Sequence, residues 1–200
     1  MRKKFIEAVK INQADFRINL NDEQISALAD YYESVMANND LLHLVAPCTA
    51  KNFAVRHVLE SLTILEFLPE NAKFADVGTG AGLPSIPCLI GREDLRGFLI
   101  ESSQRKSRFL QEIIKKFGLE TRAEIINRQF EEIKKPPVNF VVSRALDKFA
   151  KKLPSLVKWS GKSRLAFFGG HNLRDGLQKL HLKFDEKLTP QSEQRFLFII

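Results

Sequence analysis

"FADVGTGAGLPSIP", residues 74–87, decides how the rest of the chain is read. An apolar run ends in an acid, Asp76. Gly78, Gly80 and Gly82 then fall at alternate positions, and Leu83 and two prolines follow. A short apolar run bounded by glycine reads as a buried strand. Glycines directly after a strand are needed where the backbone takes positive φ or approaches a ligand with no Cβ in the way. In an open α/β sheet, ligands bind beyond the carboxyl ends of the strands. The stretch therefore predicts a strand followed by a ligand loop.

Upstream, from Arg2 to Leu68, the pattern is helical. Residues 21–40 begin with Asn21 as N-cap and Gln24 three residues on, a capping-box arrangement. Ile25, Leu28, Ala29, Tyr32, Val35 and Met36 follow the i, i+3, i+4, i+7 rhythm, and residues 50–68 repeat it. After Pro69 the period changes. Residues 72–78, 95–101, 123–127, 138–145 and 164–170 read as strands. Helical patterns lie between them at 83–90, 103–117, around 130 and 147–158. Residues 181–188 and 193–200 read as an antiparallel pair joined by "TPQS". The alternation predicts an α/β fold: a mostly parallel seven-stranded sheet covered on both faces. The closing hairpin is the usual tail of the Rossmann-like class I methyltransferase sheet. A helical extension over 1–70 and a sheet domain over 71–200 are expected.

With 200 residues, 44% of them hydrophobic, the chain can bury a sizeable core. No apolar run approaches the ~20 residues of a membrane helix. The opening "MRKKFIEAVKINQADF" is basic and lacks the apolar core and cleavage site of a signal peptide. A cytoplasmic location is expected. Two cysteines, Cys48 and Cys88, form neither a disulfide framework nor a metal knuckle. The four histidines have no paired-ligand spacing, so no metal is expected. The net charge of +7 suits a polyanionic partner.

The glycine spacing separates several ligands. The dinucleotide fingerprint is G-x-G-x-x-G, and here the third glycine comes one residue early, before Leu83. The "GKS" at 161–163 lacks the upstream glycine of a phosphate loop, since Leu156 stands there. Acid-x-G-x-G-x-G is the methyltransferase version of the loop. Its ligand, S-adenosylmethionine, carries an amino acid tail that Asp76 can hold directly or through water. Glu101, at the end of the second strand, can accept hydrogen bonds from both ribose hydroxyls, as in dinucleotide sites.

The ordered motifs resemble the bacterial small-subunit (16S) ribosomal RNA guanine-N7 methyltransferase family, also called glucose-inhibited division protein B. "DVGTGAGLPSIP" resembles its loop, and "RHVLESL" (56–62) its K-H-x-L-D-S-L helix. "ESSQRKSRFL" (101–110) is similar to D-S-x-x-K-R-x-x-F-L, "NRQFEEI" (127–133) to G-R-A-E-E, and "VVSRAL" (141–146) to V-x-S-R-A. The resemblance implies methyl transfer to N7 of one guanine in the 530 loop of 16S rRNA, on the RNA or on the small ribosomal subunit. It implies a cofactor pocket with Gly78 and Leu83 from the loop, Gln129 and Phe130 beside the adenine, and Arg144 between cofactor and target base. Arg144 is then expected to bind guanine O6 or a phosphate, the alternative being a structural ion pair to an acid such as Asp76. Arg105 and Lys106 match a basic pair and are expected to face RNA phosphate, as is Arg128, a buried-looking arginine. A monomer is expected, with neither membrane nor DNA as partner.

The chain departs from the family pattern at three places. Gly169 in "FFGG" stands where the family has lysine, Phe130 replaces an acid, and Ser85 stands where glycine is common. Three rivals stay open: a class I methyltransferase acting on another RNA or on a protein, a non-catalytic binding module, and a nicotinamide dehydrogenase. Leu83 and the closing hairpin weigh against the last.

Overall fold

The computed structural model describes residues 1–144 and 149–200. The chain opens with α1 (Arg2–Asn12) and α2 (Asp22–Leu42). A composite helical run over 50–67, α3, follows, whose middle, Phe53–Leu59, is wound as a π-helix. Then come β1 (Lys73–Val77), α4 (Ser85–Gly91), β2 (Arg96–Ile100), α5 (Gln104–Lys116) and β3 (Ala123–Ile126). They are followed by β4 (Phe140–Ser143), α6 (Phe149–Ser160), β5 (Arg164–Gly169), α7 (His171–Lys179), β6 (Asp185–Leu188) and β7 (Phe196–Ile199).

The seven strands run in the order β3-β2-β1-β4-β5-β7-β6. All pairs are parallel except β5–β7 and β6–β7. The chain order reverses between β1 and β4, which is where an open α/β sheet presents its ligand crevice. The central strands β1, β4 and β5 are apolar on both faces because both are covered. Phe74, Leu99 and Phe140 join the core beneath the N-terminal helices, α4 and α5. Their neighbours Ala75, Ile100 and Val141 alternate to the opposite face, where α6 and α7 lie.

The capping box at Asn21 is formed. Its side chain accepts from the Gln24 N–H at 2.8 Å, and Gln24 Oε1 accepts from the Asn21 N–H at 3.0 Å. The same glutamine donates to the Gly91 carbonyl at 3.0 Å and ties α2 to α4.

The helical stretch expected over 2–68 is broken at 17–21 and 43–49. His43 caps α2 in the left-handed region, and the Asn39 amide binds both polar backbone groups of Val45, at 3.0 and 2.9 Å. A side chain that satisfies the backbone this way competes with helix continuation. The helix α7 has no counterpart in the sequence reading. It spans nine residues, carries two buried leucines, Leu173 and Leu177, and contains Gly176. That is too little periodic signal. The helix expected over 83–90 starts two residues later, at Ser85. Residues 145–148, part of the expected strand end and helix start, lie outside the described residues.

Gly169 is a glycine because α7 leaves no room for a side chain. A Cβ there would sit 2.5 Å from Leu173 Cδ2 and 2.8 Å from Leu173 Cβ. Restoring the lysine seen in the family (Gly169→Lys) is expected to lower stability by about 1–3 kcal/mol through overpacking, read as a shift in the urea unfolding midpoint. An unchanged midpoint would mean that α7 slides freely along β5.

Candidate active site

A cleft of about 890 Å³ opens at the carboxyl ends of β1 and β2. On one side it is lined by Gly78, Gly80, Leu83, Glu101, Lys106 and Gln129. On the other side stand the 43–47 loop, His57, Arg144 and Lys152. A second cleft, of about 770 Å³, lies at the opposite end of β4 and β5 among Lys135, Lys162 and Arg164. It contains neither the glycine loop nor a strand-end acid, so the chemistry belongs to the first.

The loop after β1 is held from three directions. Gly78 N–H donates to the Ile100 carbonyl at 2.9 Å, locking loop to β2. Gly80 N–H donates to Glu101 Oε2 at 3.0 Å, and Ser103 N–H donates to Oε1 at 2.8 Å. Glu101 is thereby fixed with its remaining lone pairs free for a ligand. From the N-terminal helices, the Tyr31 hydroxyl donates to the Ala81 carbonyl at 2.9 Å. Burial pushes that phenol well above its usual range, so it remains a donor. Gly80 has φ +58, and no atom lies within 3.9 Å of where its Cβ would stand. The space above the loop is thus a backbone-lined cradle.

Asp76 is fully buried below the cleft. Its Oδ2 accepts from Thr79 Oγ1 at 2.7 Å and from the Ser85 hydroxyl. Ser85, at a position where the resembling family often has glycine, therefore braces this acid. Asp76 Oδ1 is buried with no hydrogen-bond partner among the described residues. Burial, opposed by the two hydroxyls, raises the carboxyl to about 7. The native state then holds a proton that the unfolded chain has already lost between about pH 4 and pH 7. Stability falls as pH rises through that window, by roughly 4 kcal/mol from this group. Urea unfolding at pH 4.5 and 7.5 should show the wild type losing stability relative to Asp76→Asn. A constant difference would mean that the carboxyl ionises normally.

Arg144 stands in the cleft wall. Its ion pair is to Glu60 Oε1, at 3.2 Å, and not to Asp76. Nη2 also donates to the Arg56 carbonyl. Nη1 donates to Ser61 Oγ at 2.9 Å and to the His57 carbonyl at 3.3 Å. Four of the five N–H groups of a guanidinium are so engaged. Glu60 is buried, and its second oxygen accepts from Arg195 Nε at 2.7 Å. One carboxylate of α3 thus joins the end of β4 to the start of the final hairpin strand.

Other expected site residues are placed as follows. Phe130 turns its ring into the core beneath α6, edge-on to Trp159 with centroids 5.6 Å apart. Gly82 is absent from the cleft lining and packs against Ile86 and Leu110. Lys106 is half-buried at the rim, and Arg105 beside it is exposed. Arg128 is exposed, correcting the reading of it as buried. It stands in the short, exposed polar loop that follows β3. Sequence reasoning missed His57, Glu60, Tyr31 and the 43–47 loop. The trace was the "RHVLESL" stretch (56–62), which contains His57 and Glu60 but served only as part of the resemblance.

The family model described as "GidB: rRNA small subunit methyltransferase G" matches residues 24–183. The chain is 36% identical over 151 residues to the ribosomal RNA small subunit methyltransferase G of Pelotomaculum thermopropionicum, covering 72% of this chain and 63% of that protein. Against the protein of the same name from Salmonella schwarzengrund it is 33% identical over 198 residues, covering 94% and 93%. The chain thus spans less than two thirds of the first relative and nearly all of the second. Among solved structures it is similar to a SAM-dependent methyltransferase from Aquifex aeolicus, with a TM-score of 0.57 and 17% identity over 70% of this chain and 87% of that one. It is also similar to the ribosomal protein L11 methylase of Lactobacillus delbrueckii subsp. bulgaricus, with a TM-score of 0.58 and 15% identity over 72% and 78%. The sheet is that of the class I S-adenosylmethionine-dependent methyltransferases, and the chain belongs to the rRNA small subunit methyltransferase G family.

Proposed function

We propose that the protein transfers a methyl group from S-adenosylmethionine to N7 of one guanine in the 530 loop of 16S rRNA. The observation that carries this reading is the two-sided cleft: one wall is the glycine loop and Glu101, with Asp76 buried beneath the loop, and the other is open to a second ligand. The residues fit the cofactor. The orphaned Asp76 Oδ1 lacks a partner that an amino group supplies, and Glu101 has lone pairs to spare for two hydroxyls. The cradle over Gly78 and Gly80 admits a ligand against bare backbone. Leu83, Gln129 and the backbone of Phe130 would border the adenosine.

When bound, S-adenosylmethionine supplies an electrophilic methyl group on a good leaving group. N7 of neutral guanine already presents an in-plane lone pair, so this chain needs no general base. Its own work is to hold the base edge in line and to exclude water, a proximity effect. Arg105, Lys106 and Arg128 would meet phosphate around the cleft, where the affinity they add falls with salt. We read the protein as cytoplasmic, in keeping with such a substrate, and as acting as a monomer. Among the described residues no helix is long and apolar enough to cross a membrane.

Radiolabelled S-adenosylmethionine with small-subunit RNA lacking this modification tests the reading. Strand cleavage at 7-methylguanine then locates the product. One cleavage in the 530 loop is expected, on naked RNA or on the small subunit. Incorporation elsewhere, or only into protein, would transfer the activity to another RNA or to a protein substrate.

A further inference from the structure

The wall opposite the glycine loop must hold guanine by the edge that carries N7 while leaving N7 bare. That edge presents two acceptors, O6 and N7. An arginine fork binds both at once and would occupy the nucleophile. Arg144 does not offer such a fork, since both of its terminal nitrogens are engaged by α3. Lys152 is paired with Glu131 at 3.4 Å, and His43 is exposed at the rim.

His57 has a different geometry. It lines the cleft from the π-helical turn of α3, a backbone form that recurs at functional sites. Its ring is set against Phe53, with centroids 5.2 Å apart. Its own carbonyl is gripped by Arg144. Nδ1 is buried with no hydrogen-bond partner among the described residues. Nε2 is then the one ring nitrogen able to meet a ligand. Buried N–H groups without acceptors are rarer than under-satisfied acceptors, which puts the proton on Nε2. Burial, together with the nearby Arg144, Arg56 and Arg195 cations, pulls the imidazole down to about 3, so the ring carries a single N–H.

We infer that His57 reads the target guanine, donating its Nε2–H to O6 while N7 stays free, and that Arg144 is the strut that fixes this histidine. The inference rests on the proposed function and names the residue that recognises its substrate. A single donor suits the task better than a fork because it cannot take both acceptors. Spacing does not mark His57 for this role; the orphaned Nδ1 and the engaged Arg144 do.

The test uses small-subunit RNA carrying either guanine or 2-aminopurine at the target position. The analogue keeps N7 and lacks O6. Methylation rates are compared for the wild type, His57→Phe and His57→Gln, with S-adenosylmethionine affinity measured in each. The wild type should prefer guanine by roughly 2- to 10-fold, the range for one neutral hydrogen bond. His57→Phe should bind cofactor normally and lose that preference. His57→Gln, which retains an N–H donor, should keep part of it. A His57→Phe protein that still prefers guanine as strongly as the wild type overturns the role of His57 and leaves the function standing. A wild-type protein that methylates neither RNA overturns the function itself, and the base-reading role with it.

Discussion

Replacing Glu60 with alanine is expected to cost about 3–5 kcal/mol of stability, because it strands a buried arginine. Glu60 is 3% exposed and its two oxygens bind Arg144 and Arg195. The Arg144 side chain is only 12% exposed, so it has little water to turn to once the carboxylate is gone. Arg195, at 29%, can recover solvent. Removing the acid therefore leaves two facing cations, one of them desolvated, with Arg56 nearby. The loss is a large share of the ~5–15 kcal/mol that holds a typical domain together. It falls where α3, β4 and β7 meet, so the final hairpin should loosen as well. Urea unfolding reads the first effect, and hydrogen exchange at β7 the second. Arg195→Ala is the control: with Glu60 and Arg144 still paired, it should cost less, about 1–3 kcal/mol for the one buried carboxylate oxygen left without its donor. Equal losses in the two variants would show that the pair is not desolvated as the structure has it.

The second large effect is expected at Gly82. This residue has φ +96, and a Cβ there would stand 2.5 Å from Ile86 Cγ1 and 3.1 Å from Leu110 Cδ2. Gly82→Ala therefore combines backbone strain of about 1–2 kcal/mol with overpacking of about 1–3 kcal/mol. The chain can relieve both only by lifting the loop away from α4 and α5. That movement would carry Gly80 from Glu101 and Ala81 from Tyr31, so cofactor affinity should fall at least tenfold, about 1.4 kcal/mol. Calorimetric titration with S-adenosylmethionine checks this. Gly118→Ala separates the causes, since Gly118 has φ +62 and no atom within 4 Å of the added carbon. It should lose only the strain and bind cofactor normally. If Gly82→Ala behaves like Gly118→Ala, the tight packing under the loop is not what shapes the site.

Much of the fold was legible because its signals are local. The capping box at Asn21 needs only two side chains three residues apart. The central strands announce themselves as apolar runs closed by glycine, acid or turn, because strands covered on both faces have no polar side to show. The short helix α7 was not legible, since two leucines around Gly176 make too weak a rhythm. Nor was the break at 43–49, which depends on Asn39 folding back on Val45.

The site divides along the same line. Sequence alone determined one wall of the cleft: the glycine spacing, Asp76 before it and Glu101 at the next strand end are fixed by chain order in an α/β sheet, because the loop and the acid must emerge at the same edge. Tertiary structure alone decided the other half. Arg144, Glu60, His57 and Arg195 come from three separate parts of the chain. Which cation meets which acid, and which side chain is left with an orphaned nitrogen, depends on how those parts pack and how much water they exclude. No spacing encodes desolvation, so the sequence could single out Arg144, but not the buried carboxylate and the carbonyls that hold it.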